Sequence, residues 1–188
     1  MRITGGHLRS RRLEAPKGDA TRPTADRVRE ALFSILSSRH TLAGMRVLDL
    51  YGGTGALGFE AISRGAEHAT FVEAKPDVVR VLQRNAESLG ILSLVSIVSA
   101  KVERARPRIA GVYDLVFVDP PYADVRSGRT AEALLPYADV FARVRELVLE
   151  HASADSPAEI SGCSLMNTRT YGDTALSFYA PEFGSSGD

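Results

Sequence analysis

Leu48-Asp49-Leu50-Tyr51-Gly52-Gly53-Thr54-Gly55-Ala56-Leu57-Gly58 joins an apolar run to a helix-like pattern through four glycines in seven residues. Glycines at such a junction permit tight turning and let a ligand approach the free N–H groups that open a helix. Gly53, Gly55 and Gly58 follow the G-x-G-x-x-G spacing, which a dinucleotide site also uses to hold pyrophosphate. The loop alone therefore leaves two cofactor classes open.

Outward from the loop, short β-rich runs alternate with helical patterns. Arg46–Tyr51, His68–Glu73, Leu94–Ser99 and Val112–Val118 read as strands, and Ala56–Arg64 and Pro76–Leu89 as helices. Pro76 suits a first turn, Val78, Val79, Leu82, Ala86 and Leu89 form an apolar stripe, and Gly90 is a stop signal. A further strand runs through Glu146–Glu150. The alternation implies a mostly parallel sheet with helices on both faces. Ser153–Gly162 reads as a polar loop. Ser164–Thr170 and Thr174–Tyr179 flank Tyr171-Gly172-Asp173 and predict a closing antiparallel hairpin. From Thr24, a candidate N-cap after Pro23, apolar positions Val28, Ala31, Leu32, Ile35 and Leu36 predict a helix over 24–38, with Arg27 and Arg29 off the buried stripe and free for a ligand or RNA. The division expected is an arm over 1–20 carrying Gly5-Gly6, one domain over 21–183, and a disordered tail at 184–188.

A chain of 188 residues, 44% apolar, is long enough for one sizeable core. The single cysteine, Cys163, has no internal disulfide partner and reads as a small packed residue; together with a start lacking an apolar leader-like run, it predicts a reducing, cytoplasmic setting. No run reaches membrane-span length. The net charge is zero, yet residues 1–40 hold nine cations against four anions. Arg9, Arg11 and Arg12 belong to this cationic end, a candidate phosphate-binding surface. His7, His40, His68 and His151 are dispersed and no metal is expected. No coiled-coil pattern demands a dimer, and a monomer is expected.

Asp49 stands at the strand end before the glycines. A carboxylate there repels a pyrophosphate but attracts a cationic amino-acid moiety, which favours S-adenosylmethionine over a nicotinamide cofactor. Glu73 ends the next strand, where an acid accepts hydrogen bonds from both ribose hydroxyls of an adenosine. The run Val116-Phe117-Val118 then delivers Asp119-Pro120-Pro121-Tyr122 to the carboxyl edge of the sheet. Two prolines fix φ, so Asp119 and the Pro120 carbonyl become two set acceptors for the protons of an –NH2 group, and Tyr122 offers a ring for a base to stack on. An exocyclic amine is a poor nucleophile because its lone pair is delocalised. Acceptors that draw it toward tetrahedral geometry localise that pair, so positioning and electrostatics supply the catalysis. Glu150 ends a strand and is a candidate to face the same site.

Arg22-Pro23-Thr24-Ala25-Asp26-Arg27-Val28-Arg29-Glu30-Ala31-Leu32-Phe33, the glycine loop, Glu73 and Asp119-Pro120-Pro121-Tyr122 together resemble the RsmD family of 16S ribosomal RNA guanine-N2 methyltransferases, over nearly the whole chain. The resemblance implies a Rossmann-like class I methyltransferase fold, α/β, with a central seven-stranded, mostly parallel sheet and an antiparallel last strand. It implies S-adenosylmethionine as cofactor, held by Asp49, Tyr51, Gly52, Gly53, Thr54, Gly55, Ala56, Leu57, Gly58 and Glu73, with Ala100, Lys101 and Asp119 completing the cleft. It implies that Asp119, Pro120, Pro121 and Tyr122 hold the guanine N2. Arg22, Thr24 and Arg27 would stand near cofactor and RNA, and the partner would be 16S rRNA in the small ribosomal subunit or an assembly intermediate. Two departures stand out: Ser99-Ala100-Lys101-Val102 where relatives often place Asp or Asn toward adenine, and Tyr51-Gly52-Gly53 in the loop. Lys101 accepts no hydrogen bond, which leaves adenine to backbone groups. An amino-methyltransferase of another target, DNA adenine or a protein glutamine, and a nicotinamide-dependent oxidoreductase remain as alternatives at this level.

Overall fold

The computed structural model describes residues 1–15 and 23–182, and for 23–25 the backbone alone. Arg22, the capping side chain of Thr24, residues 16–20 of the arm and the tail at 184–188 lie outside the described residues.

After the arm the elements run α1 (Pro23–Arg39), β1 (Arg46–Asp49), α2 (Ala56–Ser63), β2 (His68–Glu73), α3 (Pro76–Leu89), β3 (Val95–Ser99), α4 (Val102–Ala105), β4 (Leu115–Val118), α5 (Tyr122–Arg126), α6 (Arg129–Leu134), α7 (Ala138–Phe141), β5 (Glu146–Ala152), β6 (Cys163–Tyr171) and β7 (Thr174–Pro181). The strands form one sheet in the order β3-β2-β1-β4-β5-β7-β6, parallel except for β7, which is antiparallel to both neighbours. The chain moves outward from β1 to β3, then returns to place β4 on the other side of β1. That reversal opens a crevice at the carboxyl ends of β1 and β4, where ligands bind in such sheets.

Strand alternation gives the sheet two apolar faces. Val47, Phe71, Leu115, Phe117 and Val148 pack with Leu32, Phe33 and Leu36 of α1, Phe59 of α2 and Leu82 of α3. Leu48, Val72, Val116, Val118 and Leu149 pack on the opposite face with Val102, Val125, Leu134, Phe141 and Tyr137. Buried Cys163 belongs to this second set. No helix among the described residues is long and apolar enough to cross a membrane.

Several boundaries differ from the sequence reading. The first strand stops at Asp49 because Leu50 and Tyr51 already enter the turn, and β4 starts at Leu115 because the Asp114 carboxylate is engaged by Arg46 N and the Arg145 guanidinium. Leu94 closes a 3-10 turn before β3. Helices α4 to α7 were not foreseen; at four to six residues each they are too short for an apolar period to show.

The largest correction concerns Arg29. Expected to be free, it is 4% exposed. Its guanidinium donates to Arg2 O at 2.6 Å and to Asp26 Oδ1 at 2.8 Å, and lies 3.6 Å from Glu60 Oε2. The buried stripe of α1 is Val28, Arg29, Leu32, Phe33 and Leu36, rotated from the one expected because the arm covers this side. Arg27 is exposed as expected.

Glu60 pins the arm. Fully buried on α2, it accepts from Thr4 N at 2.8 Å, Thr4 Oγ1 at 2.7 Å, Gly5 N at 2.8 Å and Arg64 Nε at 2.9 Å. Ser63 and Asn85 extend the seam, bonding Leu8 N and Glu14 N, and Ile3, Leu8 and Leu13 enter the core. Glu60→Ala leaves the Arg64 guanidinium Nε, the Thr4 hydroxyl and two backbone N–H groups without their acceptor and removes the counter-charge near buried Arg29, and is expected to lower unfolding free energy by about 3–5 kcal/mol in denaturant titration. A loss below about 1 kcal/mol would mean that Glu60 does not hold the arm.

Candidate active site

The glycine loop is built for close packing as much as for a ligand. Gly55 has φ +88°, and a Cβ there would stand 2.1 Å from the Phe59 ring and 2.6 Å from Leu82; a Cβ on Gly58 would stand 2.3 Å from the Phe71 ring. Gly58 lets α2 lie against β2, and Gly55 leaves the room that Phe59 and Leu82 of α3 fill. Gly52 N donates to Val72 O at 2.8 Å, and Gly55 N to Gly52 O at 2.7 Å, closing the turn. Gly53 is the glycine open to the cleft: its added Cβ would meet only Tyr51 O, at 3.7 Å.

A cleft of about 1000 Å³ opens at the sheet's carboxyl edge. Of the residues expected at a cofactor, Tyr51, Gly53, Thr54, Glu73, Ala100, Lys101 and Asp119 line it. Asp49, Gly52, Gly55, Ala56, Leu57 and Gly58 stand behind that lining. Glu73 braces the loop, its Oε2 accepting from Gly53 N at 3.1 Å and its Oε1 from Lys75 N at 2.7 Å. Each oxygen keeps a further lone pair for a ligand.

Asp49 is 1% exposed. Its Oδ2 accepts from Gly58 N at 3.3 Å, while its Oδ1 is buried with no hydrogen-bond partner among the described residues. Burial pushes its carboxyl up to about 7, with smaller opposing help from the Gly58 and Tyr51 N–H groups. Asp119 floors the cleft, open on that side and enclosed on the others. The enclosure first, then the Glu150 and Asp49 carboxylates, hold it well above the usual carboxylate range. Asp49, Asp119 and Glu150 thus converge on one sheet edge, the charges of Asp49 and Glu150 acting on Asp119, an arrangement that favours a positively charged ligand.

Pro120 and Pro121 also line the cleft, whereas Tyr122 turns toward β5 and β7. Its hydroxyl donates to Glu150 Oε1 at 3.3 Å and lies 2.9 Å from Thr174 Oγ1. Burial raises this phenol to about 12.

The family model described as "Conserved hypothetical protein 95" matches residues 1–180. The chain belongs to this family. A relative from Bacillus subtilis (strain 168), "Putative rRNA methyltransferase YlbH", is 32% identical over 95% of this chain and 98% of its own length. The Escherichia coli (strain K12) "Ribosomal RNA small subunit methyltransferase D" is 37% identical over 65% of this chain and 60% of its own. Among solved structures, "Putative methyltransferase yhhF from Escherichia coli" superposes with a TM-score of 0.80 at 30% identity, covering 97% of this chain and 98% of that one. The resemblance read from the sequence, and the class I fold it implied, are both borne out by these matches.

In this member of the family the cleft also takes lining that the sequence reading did not single out. Val72, Ala74 and Val78 supply an apolar wall, Lys75, Glu103, Asp124, Arg129 and Glu132 a charged rim, and Met1 reaches in from the arm, its Sδ 3.7 Å from Thr54 Oγ1. Val78 carried a signal, being on the apolar stripe of α3 next to Pro76. Met1 carried none, since its placement depends on the Glu60 seam. Arg9, Arg11 and Arg12 are exposed, and Arg11 donates to Ser88 O. The four histidines lie apart, and among the described residues no three metal-binding side chains gather.

Proposed function

We propose that this chain is an S-adenosylmethionine-dependent ribosomal RNA methyltransferase that modifies the exocyclic N2 amine of a guanine in 16S rRNA, within the small subunit or a particle on the way to it. The observation that carries the reading is Asp119-Pro120-Pro121 flooring a 1000 Å³ cleft directly across the β1–β4 crevice from the glycine loop. The family's rRNA methyltransferase names support the substrate class.

The residues present fit the cofactor. Gly53 leaves room for close backbone approach, Glu73 offers free lone pairs to a ribose, and the charge of Asp49 behind the lining, its Oδ1 without a partner among the described residues, suits a cationic amino-acid end. When bound, S-adenosylmethionine supplies a methyl group activated on a cationic sulfonium. Asp119 and the Pro120 carbonyl are the acceptors that orient the amine and localise its lone pair. Methylation would leave the amine with one proton too many, and Asp119 is the residue placed to take it up. Tyr122 presents its ring for the base, held by Glu150 and Thr174. Exposed Arg9, Arg11, Arg12 and Arg27 suit phosphate contacts around an extruded base. Such an activity works where ribosomes assemble, which agrees with the cytoplasmic expectation.

Incubating the protein with labelled cofactor and small subunits from a strain lacking the enzyme, then mapping the modified nucleotide, tests this reading. Label on N2 of one 16S guanine is the expected result; label on a pyrimidine, or on no RNA, overturns it.

A further inference from the structure

An amine-binding tetrad accounts for an –NH2 group but not for the choice of guanine over another amino-purine. The group beside it does. In the β4–β5 register Val118 pairs with Leu149, so Asp119 and Glu150 are the next residues out on adjacent parallel strands. Strand alternation puts Glu150 on the face shared by Val148, toward α1, from which Arg29 exerts its field. Glu150 is half-buried. Its Oε1 is occupied by the Tyr122 hydroxyl at 3.3 Å, whereas its Oε2 takes no hydrogen bond among the described residues. One oxygen is fixed, and the other is free beside the tetrad.

Resting on the amine-methylation reading above, we propose that Glu150 is a specificity-determining residue whose Oε2 accepts the N1–H of the target guanine, while Asp119 and the Pro120 carbonyl hold its N2 amine. The guanine edge presents N1–H and N2–H as adjacent donors, so a row of acceptors on neighbouring strands complements it. Adenine presents a lone pair at N1. Against a carboxylate oxygen that lone pair is repelled and left unpaired, and sites built on such pairs reject the wrong partner strongly. The acid must be ionised for this. Burial raises Glu150, and the Tyr122 hydroxyl and Arg29 guanidinium oppose the rise; Asp119 is the other acid facing it, while Thr174 from β7 reaches it through Tyr122.

The test uses two RNAs that differ along one edge of the target base: the target RNA with guanine, and the same RNA with 2-aminopurine, which keeps the amine, carries a lone pair at N1 and has hydrogen in place of O6. For the wild type, kcat/KM is expected to favour guanine by about tenfold to a hundredfold. Glu150→Gln offers an amide that can turn either a donor or an acceptor to N1, and the ratio should fall to about one. Glu150→Leu should lower the guanine rate while the 2-aminopurine rate stays at or above that of the wild type, which also reports that the variant is folded. An unchanged ratio in Glu150→Gln, or equal loss on both RNAs in both variants, overturns the assignment of Glu150 alone. Failure of the wild type to methylate either RNA overturns the amine-methylation reading and this proposal with it.

Discussion

Asp119→Ala is expected to lower methyl transfer by on the order of a thousandfold while cofactor affinity stays within about tenfold of the wild type. The two effects separate because of where the residue stands. Asp119 lies on the floor of the cleft, whose walls are supplied by the glycine loop, Glu73 and the apolar Val72 and Val78. Its carboxyl is held well above the usual carboxylate range, and its removal leaves the contacts of Gly53, Glu73 and the apolar wall with the cofactor in place. In the reaction, however, it is both an acceptor that localises the amine lone pair and the group that receives the proton. Asp119→Asn keeps the accepting oxygen and loses the base, and should fall between wild type and Ala. Single-turnover rates with saturating cofactor, beside equilibrium binding of cofactor, distinguish these. Full activity in the Ala variant would remove the tetrad from the mechanism, and loss of binding equal to the loss of rate would make Asp119 a cofactor residue only.

The parts of this site legible in the sequence are those whose chemistry is local. Asp49, the glycine turn and Asp119-Pro120-Pro121-Tyr122 are each defined within a dozen residues, and a strand pattern ahead of each puts it on one sheet edge. What escaped depends on pieces distant in the chain. Arg29 read as exposed because the apolar spacing of α1 was taken from Val28, Ala31, Leu32, Ile35 and Leu36. Phe33, four residues after Arg29, was the sign of a second buried face, and the arm from residues 1–15 is what covers it. Glu60, a lone carboxylate inside the apolar helix Ala56–Ser63, was likewise a sign that something must satisfy it; its partners are 55 and 56 residues away. The glycine spacing was read as room for a ligand, but for Gly55 and Gly58 the space is taken by Phe59 and Phe71. The same pattern serves helix–sheet packing and ligand approach, and only the fold separates them.

Cofactor binding should be coupled to proton release and should weaken steeply below pH 7. Asp49 is wholly buried, its carboxyl is pushed up by that burial to about 7, and its Oδ1 has no partner among the described residues. A cationic ligand end favours its ionised form, so the ligand lowers this pKa and binds best when the proton is already gone. Affinity is then nearly level above pH 8 and falls by about tenfold per unit well below pH 7, roughly 30-fold between pH 8 and 5.5 from Asp49 alone, and further if Asp119 titrates with it. Folding stability of the free protein runs the other way. The native carboxyl holds a proton that the unfolded chain has released between about pH 4 and 7, so this group's contribution is present below the unfolded value and is lost as pH rises through 7, on the order of 4 kcal/mol in all. Added cofactor should therefore raise the melting temperature more at pH 8 than at pH 5.5. Asp49→Asn removes the titrating group, and should flatten the pH profile while weakening binding at pH 8. Calorimetric titration in buffers of different ionisation enthalpy measures the released proton directly. A dissociation constant unchanged from pH 8 to 5.5, with no proton released, would mean that Asp49 does not sense the ligand's charge.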